Sequence, residues 1–259
     1  MLQGLSTART GMDAIQTRIN AISNDLANVN TTSYKRARVV PVDLLYQKIR
    51  QPGGESSSTT EMPSGFLMGT GVRVIATQKD FSQGSPMQTD HDQDIMINGL
   101  GFFQILRPDG TTAYTRDGSF QQNSMGQFVT SDGYPLTPTI TIPQGATGVN
   151  IAQDGTVSAQ VNGTVTQIGH IQTAIFFNPQ GLEPIGNNLY LETTSSGTPQ
   201  TGTPNHAGYG SLVQGSLESS NVNVVESLVD LISSQRAYEM NARSVEAENE
   251  MMQFAVQKL

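Results

Sequence analysis

Cysteine and tryptophan are both absent from this 259-residue chain, and charge is scarce, with Asp, Glu, Lys and Arg together only 14%. Without cysteine there is no disulfide, no thiolate zinc site, no cysteine-ligated iron–sulfur cluster and no thiol nucleophile. Such a chain suits an oxidising compartment. Long apolar runs are missing as well. No stretch approaches the ~20 residues of a membrane span. The N-terminus lacks the basic segment and continuous apolar block of a secretory signal, so export would leave the first helix uncleaved. The net charge of −8 argues against a nucleic acid partner, because phosphate binding needs a clustered basic surface.

Catalytic and ligand signatures are equally sparse. His91, His170 and His206 are scattered and fit no zinc spacing. No G-x-S-x-G, HExxH or phosphate-loop string occurs. Asp90, Asp92 and Asp94 mimic the first three ligand positions of a calcium loop. However, Ile95 stands where the sharp turn needs glycine, and Gly101 where a bidentate glutamate is required. Gly99-Leu100-Gly101 is half a dinucleotide fingerprint, followed by strand-like residues rather than a helix. The reading is a non-enzyme with no cofactor, no metal and no small-molecule substrate.

What the chain does have is a seven-residue apolar repeat at each end. Leu5, Met12, Ile19 and Leu26 form one row, and Ala8, Ile15, Ile22 and Val29 form the second. Near the other end, Leu228, Gln235, Ala242, Asn249 and Val256 alternate with Leu231, Tyr238, Val245, Met252 and Leu259. These are the a and d rows of a coiled-coil seam, narrower than the face of an ordinary globular helix. Gln235 and Asn249 at a positions would fix register and partner number. A lone helix pair leaves apolar surface uncovered, so the rows form an expected assembly interface with other copies. Residues 1–38 carry five basic and two acidic side chains and residues 221–259 three and six, so opposite charge favours pairing of the two helices.

Between the ends the pattern changes. Residues 51–65 hold 11 Pro, Gly, Ser or Thr among 15, too polar to bury a core, which predicts a linker over 36–70 that orders only on assembly. From Gly71 the period becomes two, and Asp-Gly or Asn-Gly turns recur at short spacing, as in antiparallel strands joined by tight turns. Residues 195–211 read as a second polar loop. Asn223 with Glu226 three residues on reads as a capping box opening the last helix. The expected fold class is α+β: a mainly antiparallel all-β central domain inserted between N- and C-terminal coiled-coil helices. The expected divisions are 1–35 with 220–259 as the helical domain, 36–70 as the linker and 71–219 as the β-rich domain.

Specific strings then carry a resemblance. The run Ser23 to Lys35 resembles the N-terminal motif A-N-N-L-A-N-x-x-T-x-G-F-K of the bacterial flagellar rod and hook axial proteins. The matches are Asn24, Leu26, Ala27, Asn28, Thr31 and Lys35, with Tyr34 for Phe. Ser33 stands in place of Gly, which weakens the expectation of a left-handed turn there. Asn221 and Asn223, and Gln235-Arg236-Ala237-Tyr238, resemble the C-terminal signature. Asp94–Phe103 and Tyr114–Phe120 resemble signatures of its β domain. The length, and residues 46–66, resemble the distal rod members, whose corresponding insertion is linked to rigidity; Tyr46, Gln51, Pro52, Gly53, Pro63 and Gly65 carry that likeness.

The resemblance implies a subunit exported unfolded through the flagellar type III apparatus, without signal cleavage. It would polymerise into a rigid helical tube that spans periplasm to outer membrane, forms part of the export channel and transmits motor torque to the hook. Its implied partners are itself, proximal rod proteins, the hook protein, the ring (bushing) proteins of the cell wall and outer membrane, and the export apparatus. Alternatives are a proximal rod or hook-type axial subunit, a secreted β-rich structural or adhesive protein with coiled-coil termini, or a rod-associated cell-wall hydrolase.

Overall fold

The structure, a computed structural model, describes residues 2–50, 55–57, 60–61, 64–161, 163–206 and 208–257. Two long helices, α1 (Leu2–Ala27) and α2 (Val224–Gln257), bracket a series of antiparallel strands. This is the expected α+β order. The chain divides into two compact units, and it crosses between them more often than the sequence suggested. One unit comprises 1–27, 37–79 and 223–259; the other comprises 28–36 and 80–222.

In the helical unit, α1 ends where Asn28, Asn30 and Thr31 make the chain turn; the Thr31 N–H bonds the Asn28 carbonyl at 3.1 Å. Val29, expected to end the first stripe, therefore lies outside the helix. α2 opens on the N-cap half of the expected box: the Asn223 side-chain oxygen accepts from the backbone N–H groups of Val225 (3.1 Å) and Glu226 (3.4 Å), which satisfies two otherwise orphaned donors.

The segment expected as a linker is different. Residues 37–43 pair with 72–79, 47–50 with 66–68, and 55–57 with 60–61. These nested registers give three successive two-stranded pairs between Ala37 and Lys79, together called the arm. Its strand 72–79, expected in the β domain, thus belongs with the helices. The pair 47–50 with 66–68 escaped sequence reading because its side chains are largely exposed, and such a ribbon needs no alternation of apolar and polar residues. Pro41 sits where the register shifts, the position in a ribbon that tolerates a missing N–H.

The β unit is built on a seven-stranded antiparallel sheet. In order it runs 183–186, 189–191, 112–115, 102–106, 173–175 and 200–202, with 136–137 also on 102–106. Strand 200–202 lies within the segment read as a polar loop; it pairs with 173–175 and buries almost none of its own side chains. A three-stranded meander (146–151, 156–161, 164–170) and the pair 95–98 with 211–214 complete the layers. The main core gathers Ile95, Ile97, Phe103, Ile105, Phe128, Leu136, Ile171 and Leu212. A second cluster of aromatics, Phe102, Tyr114, Phe176 and Tyr190, packs edge-to-face, with ring centroids 4.7 Å apart for Tyr114 and Phe176.

Candidate assembly interface

The helices of the first unit lie antiparallel. Gly4 faces Glu248, Gly11 faces Asn241, and Arg18 reaches Asp230 at 3.3 Å. Among the described residues, the expected attraction between oppositely charged helices appears as this half-exposed ion pair, a small contribution. On α1 the expected rows hold: Leu5, Ala8, Met12, Ile15, Ile19, Ile22 and Leu26 are all half-buried, and none is fully covered.

On α2 only one of the two expected rows meets α1. Leu231, Val245 and Met252 are half-buried, and Tyr238 is at the edge of exposure. The second row is displaced by one position. Ser227, Ser234, Asn241, Glu248 and Ala255 are the covered residues, seven apart, with Ser234 buried. Of the expected row, Leu228, Gln235, Asn249 and Val256 are exposed, and Ala242 is partly covered. Gln235 and Asn249 are therefore not the buried polar residues of this seam; Ser234 and Asn241 occupy that role. The cause is steric. A Cβ at position 4 would run into the Glu248 side chain and one at 11 would crowd that of Asn241, so the α1 glycines make room for these polar side chains in the seam. Leu259 lies outside the described residues.

The displacement leaves a second stripe exposed, one that periodicity counting missed. At about 100° per residue, Val225, Val229, Ile232, Met240, Met251 and Phe254 fall within a sector of about 100° on the back of α2. All six are exposed. Arg236 and Arg243 interrupt this sector, and both are exposed. A helical-wheel search for the second apolar face, rather than one seam, would have found it.

The arm adds a third apolar surface. Leu45 is 90% exposed, and Tyr46, Ile49, Phe66, Leu67 and Ile75 are each about half exposed or more. A groove of about 640 Å³ in the same unit is lined by Thr7, Ala8, Met68, Val72, Asn241 and Ser244. Of the residues expected to confer rigidity, Tyr46 and Gly65 lie on the arm, while Gln51, Pro52, Gly53 and Pro63 lie outside the described residues.

The motif residues separate into two sets. Asn24, Leu26 and Ala27 belong to the last turn of α1, and Gln235, Arg236, Ala237 and Tyr238 to α2. Asn28, Thr31, Lys35 and Asn221 belong instead to the β unit. There Ser33 holds the left-handed conformation (φ 56°) despite not being glycine. Its hydroxyl donates to the Arg116 carbonyl at 2.8 Å and its N–H to the Glu218 carbonyl at 2.8 Å. Those bonds offset the cost of the strained backbone. The acidic turn at 90–94 is a structural turn: the Thr89 hydroxyl donates to Asp94 at 2.6 Å.

Three parts of the chain match known families. Residues 5–35 match the flagella basal body rod protein family, 96–159 the flagellar hook protein FlgE/F/G D1 domain, and 213–258 the flagellar basal body rod FlgEFG protein C-terminal family. The chain is 49% identical over 255 residues to the flagellar basal-body rod protein FlgG of Buchnera aphidicola subsp. Schizaphis graminum, covering 98% of each. It is 44% identical to the protein of that name from Caulobacter vibrioides over 97% of each. It is 31% identical to the flagellar hook-basal body complex protein FlhP of Bacillus subtilis, again over 97% of each.

Proposed function

Because this chain belongs to the flagellar basal-body rod protein family, we propose that it is the structural subunit of the distal rod, polymerising into a stiff helical tube. It is a structural protein of the flagellar basal body. One observation supports the mechanism. Among the described residues, all 27 buried apolar side chains lie in the β unit, whereas 16 of the 23 exposed large apolar residues lie in the unit of helices and arm. A side chain of that kind gains about 1.5–3 kcal/mol when fully buried. The α1–α2 pair leaves its apolar residues only half-buried, with Ser227, Ser234, Asn241 and Glu248 along one row of α2, so most of that stabilisation is unrealised. Neighbouring copies covering Val225, Val229, Ile232, Met240 and Met251, with the two heptad rows, would supply it.

Contacts between different patches on successive copies do not close, and so they generate a helical filament. The arm, with Leu45, Tyr46, Phe66 and Leu67 outward, would lie against an adjacent subunit and resist bending. In this reading the tube joins the proximal rod to the hook, turns within the ring proteins, conducts exported subunits and carries torque. Electron microscopy of purified basal bodies with this chain labelled tests the proposal. Label along the rod between ring and hook supports it, and label confined to the hook or absent from the axis overturns it.

A further inference from the structure

We propose that Glu218 is the keystone of a charge lock that lets the β unit close only when both of its chain ends, residues 28–36 and 211–222, are in place. Lys35 and Glu218 have fully buried side chains and Arg116 is only 5% exposed. Lys35 Nζ donates to Glu218 Oε1 at 2.5 Å and to the Ser82 carbonyl at 2.8 Å. Arg116 Nε donates to Glu218 Oε2 at 2.9 Å, and its Nη1 to the carbonyls of Gly99 (2.7 Å) and Gly101 (2.8 Å). The Gly84 N–H completes the carboxylate's shell at 2.8 Å. The group rests on the aromatic cluster, with the Arg116 guanidinium 6.0 Å from the Phe102 ring centre.

Two cations and one anion therefore share a dry site. Desolvation pulls the Lys35 amine below its usual range, against the attraction of Glu218. Burial pushes the Glu218 carboxyl up, but Arg116 and Lys35 outweigh it and hold it below the usual range. Without Glu218, Lys35 and Arg116 would be buried together with only the weaker attraction of Asp80 for Lys35 to offset their charge, which a low-polarity site tolerates poorly.

The three residues are far apart in sequence: Glu218 is 183 residues from Lys35 and 102 from Arg116. Hairpins such as 102–106 with 112–115 need no help from the lock. The site itself cannot become dry until residue 218 is present. Around it the ends are stitched together. Asn221 accepts from the Arg36 N–H at 2.8 Å and donates to the Asp80 carbonyl at 2.8 Å, and Arg36 pairs with Asp80 at 3.1 Å. Lys35 of the N-terminal motif thus serves the β unit rather than helix packing. A chain delivered N-terminus first keeps this unit open until its last strands arrive.

Full-length Lys35→Met, Glu218→Gln and the double variant test the lock through amide exchange of the β unit and its urea midpoint. Glu218→Gln should cause the largest loss, with exchange faster by on the order of a hundredfold. Lys35→Met should do less, mainly releasing 28–36. The double variant should be more protected than Glu218→Gln alone, because it buries one uncompensated cation instead of two. A double variant no better than Glu218→Gln, whether or not either folds, overturns the lock. So does a Glu218→Gln protein with parental protection.

Discussion

The two units of this chain resolve the same problem, hiding apolar side chains, in opposite ways. The β unit hides them within itself. Its core residues Ile95, Ile97, Phe103, Ile105 and Phe128 have no exposed surface, and its buried ions are paired. In the unit of helices and arm, the only described residues classed as buried are Asp25 and Ser234, both polar. Charge separates them too. The β unit carries four basic against eleven acidic side chains, a difference of −7, while the helical unit is near balance with ten against eleven. The contrast teaches that one sequence can encode a part that is complete alone and a part that is completed by other copies. The difference is set by where the apolar residues have neighbours, not by how many there are.

Breaking the exposed stripe should have the largest effect. Val229→Asp or Ile232→Asp should abolish filament formation, seen by electron microscopy and sedimentation, because an interface would bury an unpaired charge. Exchange in the β unit should be unchanged. Met12→Asp and Val245→Asp should behave alike through the α1–α2 seam. If these variants still assemble, the apolar surfaces are not the contacts.

Acid should act on the other unit. The carboxyls of Glu218 and Asp80 are held low, the first by Arg116 and Lys35 against its burial, the second chiefly by the Ser82 backbone N–H. A depressed carboxyl contributes stability that is complete above its unfolded value of about 4 and is lost as pH falls through the lowered folded value. The urea midpoint of the β unit should therefore be flat from neutral pH down to about 5 and drop below about 4. The amplitude of that drop should shrink in Glu218→Gln. A drop of unchanged amplitude in that variant would remove Glu218 from the explanation.

Shortening the arm is expected to separate stiffness from assembly. Deleting residues 50–64 should leave filaments that form but bend more readily, measured as persistence length. Equal stiffness would dismiss the arm as the stiffening element. The smallest change is expected from Asn223→Ala. Loss of the cap should cost about 1 kcal/mol, read as faster exchange confined to the first turn of α2.

Much of this contrast was legible in the sequence. The heptad rows of α1, the period of two after Gly71 and the cap at Asn223 are local signals, and each element forms as its signal implies. The failures are also physical. In α2 the counting of large apolar residues chose Leu228 and Val256, but Gly4 and Gly11 on the opposite helix make room for Glu248 and Asn241. Nothing local announces a glycine more than 200 residues away. The outer pair of the arm, 47–50 with 66–68, lacked alternation because it has little to bury. Lys35 was visible as a motif residue, yet its burial against Glu218 depends on a partner 183 positions distant. The left-handed Ser33 depends on the carbonyls of Arg116 and Glu218 in the same way.

Amide exchange of the intact chain, compared as dilute monomer and as filament, tests the central contrast most directly. In the monomer, residues 95–98, 102–106 and 212–218 should be strongly protected while 2–27 and 224–257 exchange within seconds to minutes. The filament should protect both sets. Terminal helices already protected in the monomer, and unchanged on assembly, would contradict the account.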